Sequence, residues 1–151
     1  MIHTDLSKLK PALFTRVTEA LEEMRSDEKL KALGATGVAV SETLREIAVQ
    51  MAYYSRSRMA VMDVKAMYKA AGLYAIGDAE AKRAATWTLE SRHLRGEAVD
   101  LVPLKAGAYW WAAPEAVWKR MGEIGEAHGL EWGGRWKNAD CPHFELRAGR
   151  I

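Results

Sequence analysis

Leu6, Leu9, Leu13, Val17, Leu21 and Met24 recur three or four residues apart with charged positions between them. That is the period of an α-helix, and it predicts an amphipathic helix that begins near Pro11 and stops at Gly34. The next apolar stretch, TGVAVSE, is short, β-branched and flanked by glycine, so it predicts a strand. Helical spacing returns in TLREIAVQMAYYSRSR through Leu44, Ile47, Ala48 and Met51, which sets Ser41 to Arg45 at a strand-to-helix junction. Residues 59–87 are rich in Ala, Met, Lys and Glu and break at Gly72 and Gly77, a pattern of two short helices.

The second half reads differently. AVDLV alternates about Asp100, so Ala98, Asp100 and Val102 share one strand face while Val99 and Leu101 take the other. A carboxylate beside alanine marks a roomy polar face. PEAVWKRMGEIGEAHG predicts a helix with Pro114 in its first turn and Gly129 just past its end. LEWGG follows as a short strand into a glycine turn, and HFEL as a strand with His143 and Glu145 on one face and Phe144 and Leu146 toward the core. Helices and strands mix without a βαβ rhythm, which gives the fold class α+β.

Length and composition narrow the picture. With 151 residues, 49% of them hydrophobic and 28% charged, the chain fits one compact domain over residues 1–151 with a proper core. No repeat, linker or low-complexity tract sets off an appended binding module. The net charge of +2 is spread over scattered basic residues, a poor footprint for nucleic acid. Nothing approaches a bilayer-spanning or secretory stretch, so the expectation is synthesis in the cytoplasm without stable membrane insertion. Cys141 is the lone cysteine and excludes an intramolecular disulfide.

Candidate chemistry lies in two short segments. A catalytic zinc site needs three ligands from His, Asp, Glu or Cys and a fourth position open to water. Of the four histidines, His3 lies in the terminus and His128 at a helix end, where an imidazole simply favours the dipole. His93 and His143 differ, because each stands next to a strand that presents an acid. The spacing His93-x6-Asp100 is not that of a helical HExxH site, and Gly96 argues against a continuous helix, so a loop ligand and a strand ligand would converge. Asp140 precedes His143 by three residues, with Pro142 forbidding an ordinary helix interior. That places an acid beside the metal where it can serve as general base. By spacing alone, the same residues also fit an aspartate capping a turn beside a partly buried histidine.

These segments resemble a known family. SRHLRGEAVD is similar to the S-x-H-x-x-G-x-A-x-D signature of the zinc peptidases that comprise D-alanyl-D-alanine carboxypeptidases and L-alanyl-D-glutamate endopeptidases. WGGRWKNADCPHFEL is similar to their closing segment, W-G-G-x-W-x-x-x-D-x-P-H-F-E, and SETLREIAVQMAYYSRSR to S-x-x-x-R-x-x-x-x-Q-x-x-L/Y-Y-x-x-G-R. The resemblance spans residues 37 to 147 and nearly all of a small phage endolysin. It implies a small antiparallel sheet carrying the site with helices around it, Zn2+ bound by His93, Asp100 and His143, and Asp140 as catalytic base. It further implies that Arg45 holds the substrate carbonyl and developing oxyanion, that Ser91 orders the ligand loop or touches substrate, and that Gln50 and Arg58 bind substrate. Glu145, on the face of His143, becomes that ligand's hydrogen-bond partner.

The implied activity is hydrolysis of the peptidoglycan stem peptide, most simply between L-alanine and D-glutamate, by a monomer that reaches the wall of a Gram-negative host through a pore made by another protein. A D-alanyl-D-alanine carboxypeptidase or dipeptidase would use the same ligands. A zinc domain without catalysis, as in the related hedgehog signalling domains, is a third reading, against which Asp140 and Arg45 count. Ser57 departs from the pattern's glycine, leaving that turn and the role of Arg58 open. Cys141 with His143 as base would be a cysteine-peptidase alternative, although no thiol-activating feature accompanies it. Among the six tryptophans, Trp110 and Trp111 are the candidates for glycan contact, the others for core or cleft wall.

Overall fold

The computed structural model describes residues 1–147. Its sheet is antiparallel throughout. Strands β1 (Gly37–Glu42), β2 (Ala98–Lys105), β4 (Leu130–Trp132) and β5 (His143–Leu146) run in the order β1-β2-β5-β4, and β3 (Ala108–Tyr109) pairs with the end of β2. Helices α1 (Pro11–Ser26), α2 (Glu28–Ala32) and α6 (Glu115–Ala127) cover one face. There Leu13, Val17 and Met24 meet Val99, Leu101, Met121 and Phe144 in one buried core. The stripe read from Leu13 to Met24 is the buried face of α1. A smaller cluster around Val49, Val64 and Tyr68 joins α3 (Ile47–Ser55), α4 (Val61–Ala70) and α5 (Asp78–Ala81). The α+β class with a small antiparallel sheet is therefore as expected. No described helix is long and apolar enough to cross a membrane.

Three boundaries differ from the hydrophobic pattern. The first predicted helix is broken at Asp27, whose extended backbone ends α1 and whose carboxylate accepts from the Leu30 amide at 2.9 Å to cap α2. Arg120 from α6 donates to the same carboxylate through Nη2 at 2.8 Å and Nε at 3.0 Å, so the break is fixed by a residue far along the chain. Helix α3 starts only at Ile47, because the Arg45 amide is taken by the His93 carbonyl at 2.9 Å. The segment after Leu104 is a tight β2–β3 hairpin, with Ala106 at φ 53° and Gly107 at φ 79°. Positive φ at both central positions is what such a turn needs, and Ala-Gly is a weak signal for it.

Arg120 holds the Asp27 carboxyl below its ordinary 3.8, with the Leu30 amide adding to the effect against the cost of burial. A folded pKa lower than the unfolded one contributes stability above pH 3.8 that is lost as pH falls through the folded value. Asp27→Asn is expected to lower the melting temperature at pH 7 and to show a smaller further drop between pH 7 and pH 3 than the parent, read by circular dichroism melts.

Candidate metal centre

The β2–β5 pairing sets Asp100 directly opposite His143. Side chains at such a pair stand about 5 Å apart on one face. His93 arrives from a 3-10 turn, Arg92–Arg95, whose start is capped by Ser91: its hydroxyl accepts from the His93 amide at 3.2 Å. Gly96 then turns the chain into β2 at φ 69°, and a Cβ there would lie 2.7 Å from the Lys8 carbonyl, so only glycine fits. Asp100 Oδ1 ends 3.2 Å from His93 Nε2 and 3.5 Å from His143 Nδ1, and the three donor atoms lie within 4.8 Å of one another. Ligands about 2.0–2.1 Å from a tetrahedral ion stand roughly 3.3 Å apart, so both Asp100 distances match sharing of one small cation with a histidine.

Each imidazole is oriented from behind. His93 Nδ1–H donates to the Thr43 carbonyl at 2.8 Å, which leaves the Nε2 lone pair toward Asp100. His143 Nε2–H donates to Glu145 Oε2 at 3.1 Å, leaving Nδ1 toward the centre. Glu145 in turn meets Arg92 Nε at 3.4 Å. Burial alone would raise the Asp100 carboxyl, but the two imidazoles hold it far below the carboxylate range. Burial works against a charged His143, yet hydrogen bonds to Asp100 and Glu145 push it up to about 10. This pocket is built to hold positive charge, as a divalent-ion site requires.

Asp140 stands next to the trio without joining it, its Oδ2 3.8 Å from His143 Nδ1 and its side chain 49% exposed. Its amide donates to the Gly133 carbonyl at 2.9 Å, and a Cβ on Gly133 would lie 2.5 Å from the Asp140 carbonyl. Trp132 Nε1–H donates to the Cys141 carbonyl at 2.7 Å and pins the same loop. Desolvation and the neighbouring Asp100 charge raise the Asp140 carboxyl above its usual range. That moves it toward the range where a carboxylate can both take up and release a proton. Burial and Asp140 likewise push the Cys141 thiol up, the opposite of what a nucleophilic thiolate needs.

Arg45 lies in the same cleft, a space of about 790 Å3 that also holds His93, Asp100, Asp140 and His143. Glu42 accepts from its Nε and Nη2, Gln50 from Nη1 at 2.7 Å, and its guanidinium sits 4.8 Å from the Tyr53 ring centre. Three of its five N–H groups are thus engaged, and the rest remain for a ligand. Gln50 is fully buried and donates to the Thr88 carbonyl at 2.7 Å, so it braces Arg45 instead of lining the cleft. Arg58 is also outside the cleft lining: it stacks 3.9 Å over Tyr54 and donates to the Tyr54 and Thr86 carbonyls. Ser57 adopts φ 65°, the left-handed conformation that the pattern's glycine adopts freely. His3 and His128 pair with Glu46 and with Glu19 and Glu23, away from the trio. Trp136 lines the cleft wall as expected, its ring centre 4.9 Å from that of His143, whereas Glu42, Thr43 and Arg92 were not among the residues singled out from the sequence. The spacing Glu42-x-x-Arg45 was the only available signal.

An α+β domain with a sheet-borne His-Asp-His trio at the floor of an open cleft defines a candidate mononuclear metal hydrolase. A family model described as D-alanyl-D-alanine carboxypeptidase matches residues 84–146, the stretch that carries all three candidate ligands and Asp140. Among solved structures, the Serratia marcescens L-Ala D-Glu endopeptidase ChiX is similar at 26% identity and a TM-score of 0.58, over 94% of this chain and 83% of that one. The fold is also that of a vancomycin-resistance D,D-pentapeptidase VanY from a VanB-type cassette, solved in complex with Zn(II). That likeness has 18% identity, 91% and 72% coverage of the two chains and a TM-score of 0.52. No curated protein matches the chain. The resemblance noted in the sequence is thereby borne out at the level of the group: residues 84–146 match its family model, and the chain shares the fold of an L-Ala D-Glu endopeptidase and a D,D-pentapeptidase.

Proposed function

We propose that the protein is a zinc-dependent endopeptidase that hydrolyses the L-alanyl-D-glutamate bond of the peptidoglycan stem peptide. The observation that carries this reading is the convergence of His93, Asp100 and His143, whose donor atoms lie within 4.8 Å of one another, with Asp140 and Arg45 in the same cleft. The choice of bond rests on the similarity to ChiX over nearly the whole chain. When bound, zinc supplies Lewis acidity toward the peptide carbonyl and lowers the pKa of a coordinated water.

The chain's own groups supply the rest. Asp140 takes the proton of the attacking water and returns it to the leaving amine, a shuttle its raised pKa favours. Arg45, held by Glu42 and Gln50, presents fixed positive charge to the carbonyl oxygen as negative charge develops. Thr43 and Glu145 keep both imidazoles in the tautomer that turns a lone pair to the centre. Ser91 fixes the turn from which His93 projects, a positioning role.

The family description favours a second reading, cleavage of the terminal D-alanyl-D-alanine bond with the same residues. Mass spectrometry of products from purified peptidoglycan, with and without a zinc chelator, separates the two. Release of peptides with D-glutamate at the new amino terminus, stopped by the chelator and restored by zinc, is the expected result. Loss of terminal D-alanine alone would establish the carboxypeptidase. No product from zinc-loaded protein would point to a recognition domain.

A further inference from the structure

Tyr109 and Trp111 line the cleft but take no part in holding the metal trio. They are 46% and 55% exposed, with rings edge to face, centres 5.9 Å apart and planes at 88°. Tyr109 is fixed at both ends. Its backbone pairs with Leu104, and its hydroxyl donates to the Val40 carbonyl at 3.4 Å. Val40 pairs with Leu101, the neighbour of Asp100. The tyrosine side chain therefore runs back along β2 toward the metal centre, over a span that begins one residue from Asp100 and ends four away. At about 3.4 Å per residue that is roughly 3 to 14 Å. Trp110, between them, turns the other way, against Gly34 and under the Lys105 ammonium.

We infer that Tyr109 and Trp111 form a saccharide subsite that holds the N-acetylmuramyl residue to which the stem peptide is attached. This rests on the L-alanyl-D-glutamate reading above. In that substrate one alanine and a lactyl ether separate the scissile carbonyl from the pyranose, about two residue lengths, or roughly 7 Å. The sugar then falls within the span of Tyr109, whose ring Trp111 meets edge to face. Cleavage at D-alanyl-D-alanine puts three more residues in between, about 10 Å further, and carries the sugar past it. Chemistry agrees with distance. A pyranose packs its C–H face on an aromatic ring while its hydroxyl and acetamido groups stay in water, which suits half-exposed rings.

The test compares N-acetylmuramyl-L-alanyl-D-glutamate with N-acetyl-L-alanyl-D-glutamate as substrates of the zinc-loaded protein, its Trp111→Ala variant and its Tyr109→Ala variant. The parent should prefer the muramyl substrate by about tenfold in kcat/KM, through KM. Trp111→Ala should erase that preference while leaving the sugar-free substrate within about twofold of the parent. Tyr109→Ala should weaken it in the same direction. Cleavage of both substrates at equal efficiency, or an equal loss on both in the variants, would overturn the subsite and leave the bond assignment standing. Cleavage of neither, with D-alanyl-D-alanine peptides cut instead, would overturn the bond assignment and the subsite together.

Discussion

His93→Ala is expected to purify without stoichiometric zinc and to have no measurable peptidase activity. Two ligands remain in this variant, Asp100 and His143, and a pair of donors on facing strands cannot enclose a tetrahedral ion. The Thr43 carbonyl loses its donor as well, and the buried site gains a cavity, since His93 is only 2% exposed. The loss of metal is separable from the loss of packing. Zinc at a thousandfold over its dissociation constant stabilises the parent by about 4 kcal/mol, which in a domain of this size raises the melting temperature on the order of 10 °C. The variant should melt lower and show no rise with zinc. One zinc per chain in purified His93→Ala, measured by mass spectrometry of the metal, would strike His93 from the ligand set.

The candidate ligands are legible because their chemistry and their placement are both written locally. Alternation in AVDLV and HFEL sets Asp100, His143 and Glu145 on defined faces, and strand pairing needs only to bring those faces together. What supports them was less legible. Thr43 acts through its carbonyl, and any residue at that position carries one. Gln50 and Arg58 matched their pattern letter by letter, yet one points into the protein and the other lies over Tyr54, a choice that α3 packing makes and spacing does not. Trp110 and Trp111 look alike in sequence, and only the hairpin geometry sends them to different sides. The break between α1 and α2 depends on Arg120, 93 residues away. Hydrophobic spacing finds elements; contacts made at long range decide where they stop.

Asp140→Asn should keep zinc at one per chain and lose about a thousandfold in kcat. The side chain lies beyond hydrogen-bond reach of His143, at 3.8 Å, and its loop is held by the Gly133 carbonyl and by Trp132, not by its carboxylate. Asparagine has the same shape and leaves the metal trio, the loop and the cleft as they are. What it cannot do is accept the water's proton. A positioned acid-base group contributes about 100- to 10,000-fold, or roughly 3 to 5 kcal/mol of the barrier. Because proton transfer occurs only on the way to the transition state, kcat and kcat/KM should fall together with KM unchanged. A fully active variant would move the base elsewhere in the cleft. Loss of zinc from Asp140→Asn would instead make Asp140 a ligand, and the coordination read from the three converging donor atoms would then be incomplete.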